Sequence, residues 1–460
     1  MSSTTTSTGG FSTSKLLYFF GALGGLLFGY DTGKIAGAII FVDQEFGLTA
    51  FTQGLVVSSL LIGAAVGAAT GGRLSDRYGR RTVIVLAAII FAGTAIGEAL
   101  SPNAVTLIFM RLIGGLAVGA ASLMVPLYLA EMAPTRIRGA ISSLNQLMIV
   151  TGILAAFIVN SALAEAEAWR WMFAAAFFPS VLLLVGMIFL PETPRWLVKQ
   201  HREEDARGVL RRTRDESEIE GELEDIKRID RLEAREGLGV GELLRTSWLR
   251  PALIVGIGLA IFQQMIGINT VIYYAPTTLI NVGFGDAAAI LANVGIGVIN
   301  VTFTIVAILL IDRIGRKPLL LVGSVGMSAS LAILGLTSLL LPEPEGIGPV
   351  GIITLVCLAA FIMSFAISWG PVVWVMLAEI FPLEVRGTVM GVATVLLWLA
   401  NFLVSVSFPV LLETLGIGPL FLGFAAICVA SFFFVYAVVA ETKGRSLEQI
   451  EEDLREKAMV

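Results

Sequence analysis

The feature that most constrains this chain is a series of apolar runs, each roughly 18 residues or longer, that recurs from end to end. Each run is long enough to cross the hydrocarbon core of a bilayer as a helix. The runs are continuous rather than alternating, which favours helices over a β-barrel. Only 15% of the 460 residues are charged, too few to cover the surface of a soluble protein of this length. The sequence therefore predicts an all-α membrane protein that crosses the bilayer many times.

The apolar pattern predicts twelve spans. They lie near residues 15–38, 53–72, 82–100, 104–128, 139–162, 169–190, 252–277, 288–311, 318–341, 350–378, 388–411 and 418–439. Basic residues concentrate in alternate connections, for example between spans 2 and 3 and between spans 8 and 9, whereas the opposite connections are acidic. The positive-inside rule therefore predicts that both termini are cytoplasmic.

The charge distribution also predicts the domain organisation. Six spans fill residues 15–190 and six more fill 251–440, with a highly charged connector at 191–250 between them. Apolar residues recur in the connector at three- and four-residue steps, which predicts amphipathic helices rather than a solvated linker. Short polar tails, residues 1–14 and 441–460, flank the two halves, and the first of them is predicted to be disordered.

Three pairs of motifs show that the two halves are related. "SDRYGRR" at 75–81 matches "IDRIGRK" at 311–317, "LAEMAPTRIRG" at 129–139 matches "LAEIFPLEVRG" at 377–387, and "PETPR" at 191–195 matches "AETKG" at 440–444. Six spans is an even number, so both copies have the same orientation. The sequence predicts a parallel repeat, and transporters built in this way bind substrate between the repeats near the midplane.

With these motifs the chain resembles the sugar porters of the major facilitator superfamily, and among them the bacterial galactose– and arabinose–proton symporters. The resemblance covers nearly the whole chain and also includes "FQQMIGINTVIYYAP" at 262–276, "WGPVVWVMLAEIFPLEVRG" at 369–387 and "ETKGRSLE" at 441–448. It implies two six-helix bundles, a helical cytoplasmic domain, a central sugar site and alternating access in the cell membrane. The implied partners are a monosaccharide, a proton and the lipid bilayer, with no nucleic acid, no cofactor, no metal and a monomeric state.

A monosaccharide site needs neutral amides, which both donate and accept hydrogen bonds, and an aromatic platform. Span 7 supplies Gln263, Gln264 and Asn269, which diverge on a regular helix but converge if the span unwinds near Gly267 or before Pro276. The resemblance adds the following contacts: Gln146, Asn300, Trp374 and Asn401, with Tyr273 and Phe28 as second contacts. Trp398 stays open, because a tryptophan near a span end is often an interface anchor.

Charged motifs at the cytoplasmic span ends predict a gate. Opposite charges there can pair across the two bundles when that side is closed and separate when it opens. The members are Asp76, Arg77, Arg80, Glu131, Arg138, Glu192, Asp312, Arg313, Arg316, Glu379, Arg386 and Glu441.

By resemblance, Asp31 matches the carboxylate that carries a coupling proton and Arg111 matches its partner. An adjacent guanidinium favours the ionised carboxylate, so moving it away can load a proton. Facilitative relatives have asparagine at the position of Asp31, which favours symport over facilitated uptake. A static ion pair is the structural alternative. A non-transporting sugar receptor would have a longer cytoplasmic tail, and no motif of an enzyme or of an ATP site is present, so the protein is predicted not to be an enzyme.

Lys34, three residues after Asp31, departs from the family, whose members have an apolar residue there. Two interpretations follow. Lys34 can extend to the outer membrane interface, or it can contact Asp31, hold it ionised and weaken proton coupling. The interfacial position is favoured because the predicted span ends only four residues later, at Ala38.

Overall fold

The computed structural model of the protein describes residues 9–134, 138–236, 249–341, 346–381 and 383–443. Side chains are described over these ranges except at 9–17, 135–143, 229–236, 378 and 383–386. Within the described ranges every regular element is a helix.

The first half contains six spans. Its helices are α1 Gly9–Phe46, α2 Ala50–Tyr78, α3 Arg80–Ala99, α4 Ala104–Met132, α5 Arg138–Ala164, α6 Trp169–Ala174 and α7 Phe177–Phe189, the last two forming span 6. Side-chain caps begin two of these helices: Thr49 accepts a hydrogen bond from the Thr52 amide, and Asn103 accepts one from the Thr106 amide.

The described part of the predicted connector contains three helices, α8 Pro194–Lys199, α9 Glu203–Leu210 and α10 Glu216–Glu236. Their apolar side chains, such as Leu210 and Leu223, are buried, while most of their charged side chains are exposed. This is the amphipathic pattern of the connector sequence.

The second half repeats the six spans. Its helices are α11 Arg250–Met265, α12 Ile268–Ile280, α13 Asp286–Ile314, α14 Arg316–Leu340, α15 Pro349–Ala366, α16 Trp369–Ile380, α17 Leu383–Leu415 and α18 Ile417–Val438. Helices α11 and α12 form span 7, and α15 and α16 form span 10. Twelve helical stretches in the described ranges are long and apolar enough to cross a membrane, which confirms the predicted fold class.

Each half packs its spans in the same pairs. In the first half α1 packs against α5, α2 against α4, and α3 against α7; the corresponding pairs of the second half are α11 with α17, α13 with α15, and α14 with α18. Between the halves α2 packs against α17 and α5 against α13. Because α2 corresponds to α13 and α5 to α17, each of these two pairs is the repeat-related copy of the other. The packing has the two-fold relation expected of a parallel repeat.

Close approach of α1 and α5 depends on small residues. A Cβ on Gly29 would collide with the carbonyl oxygen of Ile149, and a Cβ on Gly152 would collide with that of Leu26. Both faces of this contact therefore bring backbone against backbone, as in membrane helix pairs with small residues at four-residue spacing. The contact holds α1 deep between the other spans.

Span 1 is longer than predicted. Helix α1 continues to Phe46, eight residues past the predicted end at Ala38. Lys34 therefore lies twelve residues before the end of the helix, about 18 Å along its axis. The residues that follow Ala38 are apolar up to Val42, and the acidic residues that suggested a loop lie in the last helical turns.

Candidate functional site

Span 7 breaks where the sequence predicts it. Helix α11 ends at Met265, Gly267 has φ 88° and ψ 18°, and α12 begins at Ile268. This left-handed conformation is accessible to glycine without steric cost. Pro276 lies inside α12 and does not interrupt it. The break confirms the first of the two predicted positions.

The break brings the three span 7 amides into one hydrogen-bonded chain. Asn269 Nδ2 donates to Gln264 Oε1 at 2.6 Å, and Gln264 Nε2 donates to Gln263 Oε1 at 3.2 Å. Gln263 Nε2 in turn donates to the Trp369 carbonyl at 2.9 Å, beside the break in span 10. Two broken spans of the same half are thus joined by amide hydrogen bonds.

Span 11 adds two buried donors that lack a protein acceptor. In the described part of the chain, Nε1 of Trp398 and Nδ2 of Asn401 are buried without a hydrogen-bond partner. Asn401 Oδ1 accepts from Ser405 Oγ at 3.0 Å, and the Asn401 amide lies beside the Tyr273 hydroxyl without meeting hydrogen-bond geometry. The Trp398 ring contacts the ring of Phe28 edge to face at 5.6 Å. Trp398 is therefore a buried interface residue between the halves rather than an anchor at the membrane surface.

The remaining expected sugar contacts lie on other helices of the interface. Gln146 of α5 is half-buried and Asn300 of α13 is buried, on the two helices that pack against each other across the halves. Trp374 of α16 is half-buried, and Tyr273 of α12 is buried. Helix α12 packs against α1, which places Tyr273 on an element adjacent to Phe28.

Lys34 is buried, so the interfacial interpretation is wrong. Its side chain is 1% exposed, and Nζ forms salt bridges with Asp31 Oδ1 and, at 2.6 Å, with Glu98 Oε2 of α3. The ammonium also lies 5.3 Å from the ring centre of Phe173. The physical reason is the length of α1, which leaves Lys34 too far from the helix end to extend into water.

Arg111 is also fully buried, but it contacts backbone rather than Asp31. Its Nε donates to the Val56 carbonyl at 2.6 Å and one terminal nitrogen donates to Val57 at 3.1 Å. Close packing of α2 and α4 explains this position, because a Cβ on Gly115, one turn after Arg111, would collide with the carbonyl of Leu60, one turn after Val56. The expected Asp31–Arg111 contact is therefore replaced by Asp31–Lys34.

Glu98 and Asn160 are functional candidates that the sequence did not predict. Glu98 is a carboxylate in an apolar run, the same signal that singled out Asp31, but its place at the end of span 3 hid it. Asn160 Nδ2 donates to the carbonyls of Gly33 and Lys34 at 3.2 and 3.1 Å and so fixes the backbone beside the salt bridges. No sequence pattern distinguishes that role.

The charged motifs collect at one end of the bundle. We call the end that carries Arg80 and Arg316 the basic end, and the end that carries Glu45 and Asp286 the acidic end. At the basic end Arg80 contacts Glu131 and Asp76, each at 3.3 Å. In the second half Arg316 contacts Glu379 at 2.7 Å and Asp312 at 3.1 Å.

Glu192 and Glu441 cap helices at the basic end. Glu192 accepts hydrogen bonds from the amides of Arg80 and Arg81, and Glu441 accepts from those of Arg316 and Lys317, at 3.0 to 3.2 Å. Each carboxylate thus caps the first turn of a helix, where the dipole favours a negative charge. Burial raises the pKa of Glu192, while hydrogen bonds from the backbone of Thr193, Arg81 and Arg80 act in the opposite direction.

In this conformation the gate ion pairs of the described side chains lie within the halves, so pairing across the bundles stays a prediction for the state in which that side is closed. The gate pairs named above each join residues of one half, because α3 packs against α4 in the first half and α14 against α16 in the second. Arg77 lies over the ring of Tyr78, and Arg313 is exposed. The side chains of Arg138 and Arg386 lie outside the described residues. At the acidic end, by contrast, Gln44 donates to Asp286 across the halves at 3.1 Å.

Known proteins are similar to this chain over nearly its whole length. The family described as "Sugar (and other) transporter" matches residues 17–454. The putative metabolite transport protein YwtG of Bacillus subtilis is 54% identical over 441 residues, covering 96% of this chain and 95% of the relative. The glucose transporter GlcP of Staphylococcus epidermidis is 49% identical over 442 residues, covering 96% and 97%.

A solved structure agrees at the level of the fold. The proton:xylose symporter XylE of the major facilitator superfamily, bound to 6-bromo-6-deoxy-D-glucose, superposes with a TM-score of 0.80 at 34% identity, covering 96% of this chain and 99% of XylE. Similarity to these transporters thus extends along nearly the full length of the chain. It accompanies the paired spans, the broken span 7 and the motifs at the basic end. This chain belongs to the sugar porter family of the major facilitator superfamily and is a multi-pass membrane transporter, not an enzyme.

Proposed function

We propose that the protein imports a monosaccharide together with a proton by alternating access between its two halves. The observation that carries this proposal is that polar groups suited to a sugar and a buried carboxylate suited to a proton both lie at the interface of the halves. Neutral amides and free N–H donors lie on spans 7 and 11, and buried Asp31 lies one turn after Phe28, which contacts Trp398. A sugar and a proton bound here both meet residues of the two halves.

The proposed sugar contacts are the amides and rings of the interface. Gln263, Gln264 and Asn269 already form a polar chain, and a sugar hydroxyl can exchange with any of its members because each amide both donates and accepts. The unsatisfied donors of Trp398 and Asn401 favour an acceptor-rich ligand. Gln146, Asn300, Trp374, Tyr273 and Phe28 complete the proposed set.

Proton coupling is supported by Asp31 and by similarity to a proton:xylose symporter. A carboxylate buried among apolar helices is costly unless it is paired, so such residues in spans typically serve transport. Protonation of Asp31 neutralises it and weakens its hold on Lys34. The Asp31–Lys34 ion pair lies at the interface, so weakening it by protonation can favour one arrangement of the halves over the other.

Uptake into proteoliposomes tests both parts of the proposal. We expect one or more labelled hexoses or pentoses from a panel to accumulate when an inward proton gradient is imposed. The variant D31N removes the titrating group, so it should lose gradient-driven accumulation by about tenfold or more and retain sugar exchange in the absence of a gradient. Failure of every sugar to move would contradict the transport proposal, and equal accumulation by D31N would contradict Asp31 as the proton carrier.

Facilitated uptake without a proton is a second candidate, and one observation favours it. The Lys34 ammonium contacts Asp31 directly, and an adjacent cation stabilises the ionised carboxylate. If that ionised state persists through the transport cycle, sugar moves only down its own gradient. Sugar flux that ignores the imposed proton gradient would decide for this candidate.

We further propose that the protein works as a monomer in the cell membrane with its basic end in the cytoplasm. Residues Arg80, Arg81, Arg316 and Lys317 lie at the basic end, and the positive-inside rule assigns such an end to the cytoplasmic side. Both termini would then be cytoplasmic. Labelling of single cysteines introduced at exposed Tyr78 and at exposed Glu413 with a membrane-impermeant reagent, in intact and in permeabilised cells, tests the assignment.

A further inference from the structure

Glu98 is a buried acid that the symport scheme above does not use. It is the last residue but one of α3, it is 0% exposed, and its Oε2 lies 2.6 Å from Lys34 Nζ. Apart from the Lys34 ammonium, no donor in the described residues contacts its carboxylate within hydrogen-bond distance. Lys34 is therefore shared between two buried carboxylates and is the ionic partner of Glu98.

The buried charges of this region balance. Asp31 and Glu98 carry two negative charges, and Lys34 and Arg111 carry two positive charges. Lys34 and Glu98 thus add a neutral pair to the Asp31 and Arg111 charges, whose sum is also zero. Removing both members of the added pair leaves the total unchanged, whereas removing one does not.

The other groups that face this cluster are uncharged at neutral pH. Helix α1 itself adds Tyr30, and α12 adds Tyr273, both buried phenols. Helix α5 presents the amide of Asn160, and α6 presents the ring of Phe173. No further cation in the described residues contacts Asp31 or Glu98, so the position of the Lys34 ammonium determines how the two carboxylates are neutralised.

Protonation of Asp31 changes the number of ionic partners that the Lys34 ammonium has. The protonated carboxyl is neutral, so the ammonium loses one of its two ionic partners and keeps Glu98. Without Glu98 the same protonation would leave a buried ammonium with no anion, which is strongly unfavourable. Asp31 would then stay ionised and the cycle would carry no proton.

We propose that Glu98 is a positioning residue for proton coupling, because it holds the Lys34 ammonium when Asp31 takes up the transported proton. The step is a simple protonation in which Asp31 gains one proton from the entry side, Lys34 remains an ammonium and Glu98 remains a carboxylate. The inference rests on the proposed symport, and it explains how a lysine beside the coupling carboxylate is compatible with it.

The test uses the full chain in proteoliposomes. In E98Q the ammonium has Asp31 as its remaining carboxylate, so gradient-driven accumulation should fall about tenfold or more while sugar exchange without a gradient stays within about twofold of wild type. The pH at which sugar-induced proton uptake is half-maximal should shift downward by about one unit or more. E45Q is the matched control, since Glu45 pairs with Arg170 near the acidic end and does not contact Lys34.

Two further variants separate positioning from folding. K34V/E98Q removes the neutral pair and leaves Asp31 and Arg111, so proton coupling should return to within about threefold of wild type. E98D keeps the charge and should couple better than E98Q. K34V/E98Q is compared with wild type, so it gives a decisive result even if E98Q is too unstable to purify.

The outcomes distinguish this inference from the proposed function. A wild-type protein that moves sugar without regard to the proton gradient overturns symport, and the role of Glu98 with it. A wild-type protein that couples, together with an E98Q variant that couples equally well, overturns the role of Glu98 alone. Failure of K34V/E98Q to couple, with sugar exchange intact, shows that Glu98 does not act through Lys34 and also overturns it.

Discussion

Two side chains of span 11, Trp398 and Asn401, are buried with donor groups that no protein atom accepts in the described residues. Membrane proteins seldom keep such groups unless a ligand, water or another partner completes them. A sugar is rich in acceptors and enters an interface of this kind without bringing charge. These two donors therefore support the proposed ligand site over a set of amides that only join helices.

We expect N401A to raise the KM for the transported sugar about tenfold, because one hydrogen bond to the ligand contributes about 1–1.5 kcal/mol. The maximal rate should change less, since the contact is made in the bound ground state. S405A is the control: it removes the hydroxyl that donates to Asn401 Oδ1 and leaves the free Nδ2 group in place. Sugar-dependent uptake rates measure both, and an unchanged KM in N401A would exclude Asn401 from the site.

At the scale of the element, the break of span 7 decides which side chains can meet. A continuous helix would place Gln264 and Asn269 about 140° apart, yet their amides are 2.6 Å apart across Gly267. The glycine supplies a left-handed residue between the end of α11 and the start of α12. The same element also packs tightly, since a Cβ on Gly267 would lie 2.9 Å from Phe424 Cδ1.

We expect G267A to lower the stability of the protein by about 1–2 kcal/mol, because alanine at φ 88° carries the left-handed penalty. Sugar affinity should fall as well, since a shift of the break separates the amides. The control is G295A in α13, where an added Cβ meets no atom within 4 Å and alanine suits a helix better than glycine. Thermal unfolding in detergent, with and without sugar, measures both effects, and a G267A variant as stable as G295A would contradict this account.

For the whole molecule, the two halves carry the same arrangement of charges at the basic end. Arg80 contacts Glu131, and Arg316 contacts Glu379, each within its own half. These ion pairs therefore link α3 to α4 in the first half and α14 to α16 in the second. The hydrogen bond between Gln44 and Asp286, by contrast, joins the halves at the acidic end. In the proposed alternating access, the two halves then move against each other.

We expect R316E to reduce the transport rate about tenfold or more, because it leaves the half-buried Glu379 beside a second negative charge. R316E/E379R restores opposite charges within the half and should recover a large part of the rate. R316E/E131R pairs residues of different halves and should not recover it. Uptake rates at matched protein amounts provide the measurement, and recovery by the second double variant alone would favour pairing across the halves.

By itself, the sequence determined the twelve spans, the parallel repeat, two candidate positions for a break in span 7 and the group of amides beside them. These follow from hydropathy, periodicity and backbone preference, which act over a few turns of helix. The tertiary structure decided which partner each charged group takes: Lys34 contacts Glu98, 64 residues away, and Arg111 contacts the carbonyls of α2 rather than Asp31. The physical reason is that the close packing of neighbouring helices sets their relative register and so chooses which buried charges meet, a choice that no local pattern encodes.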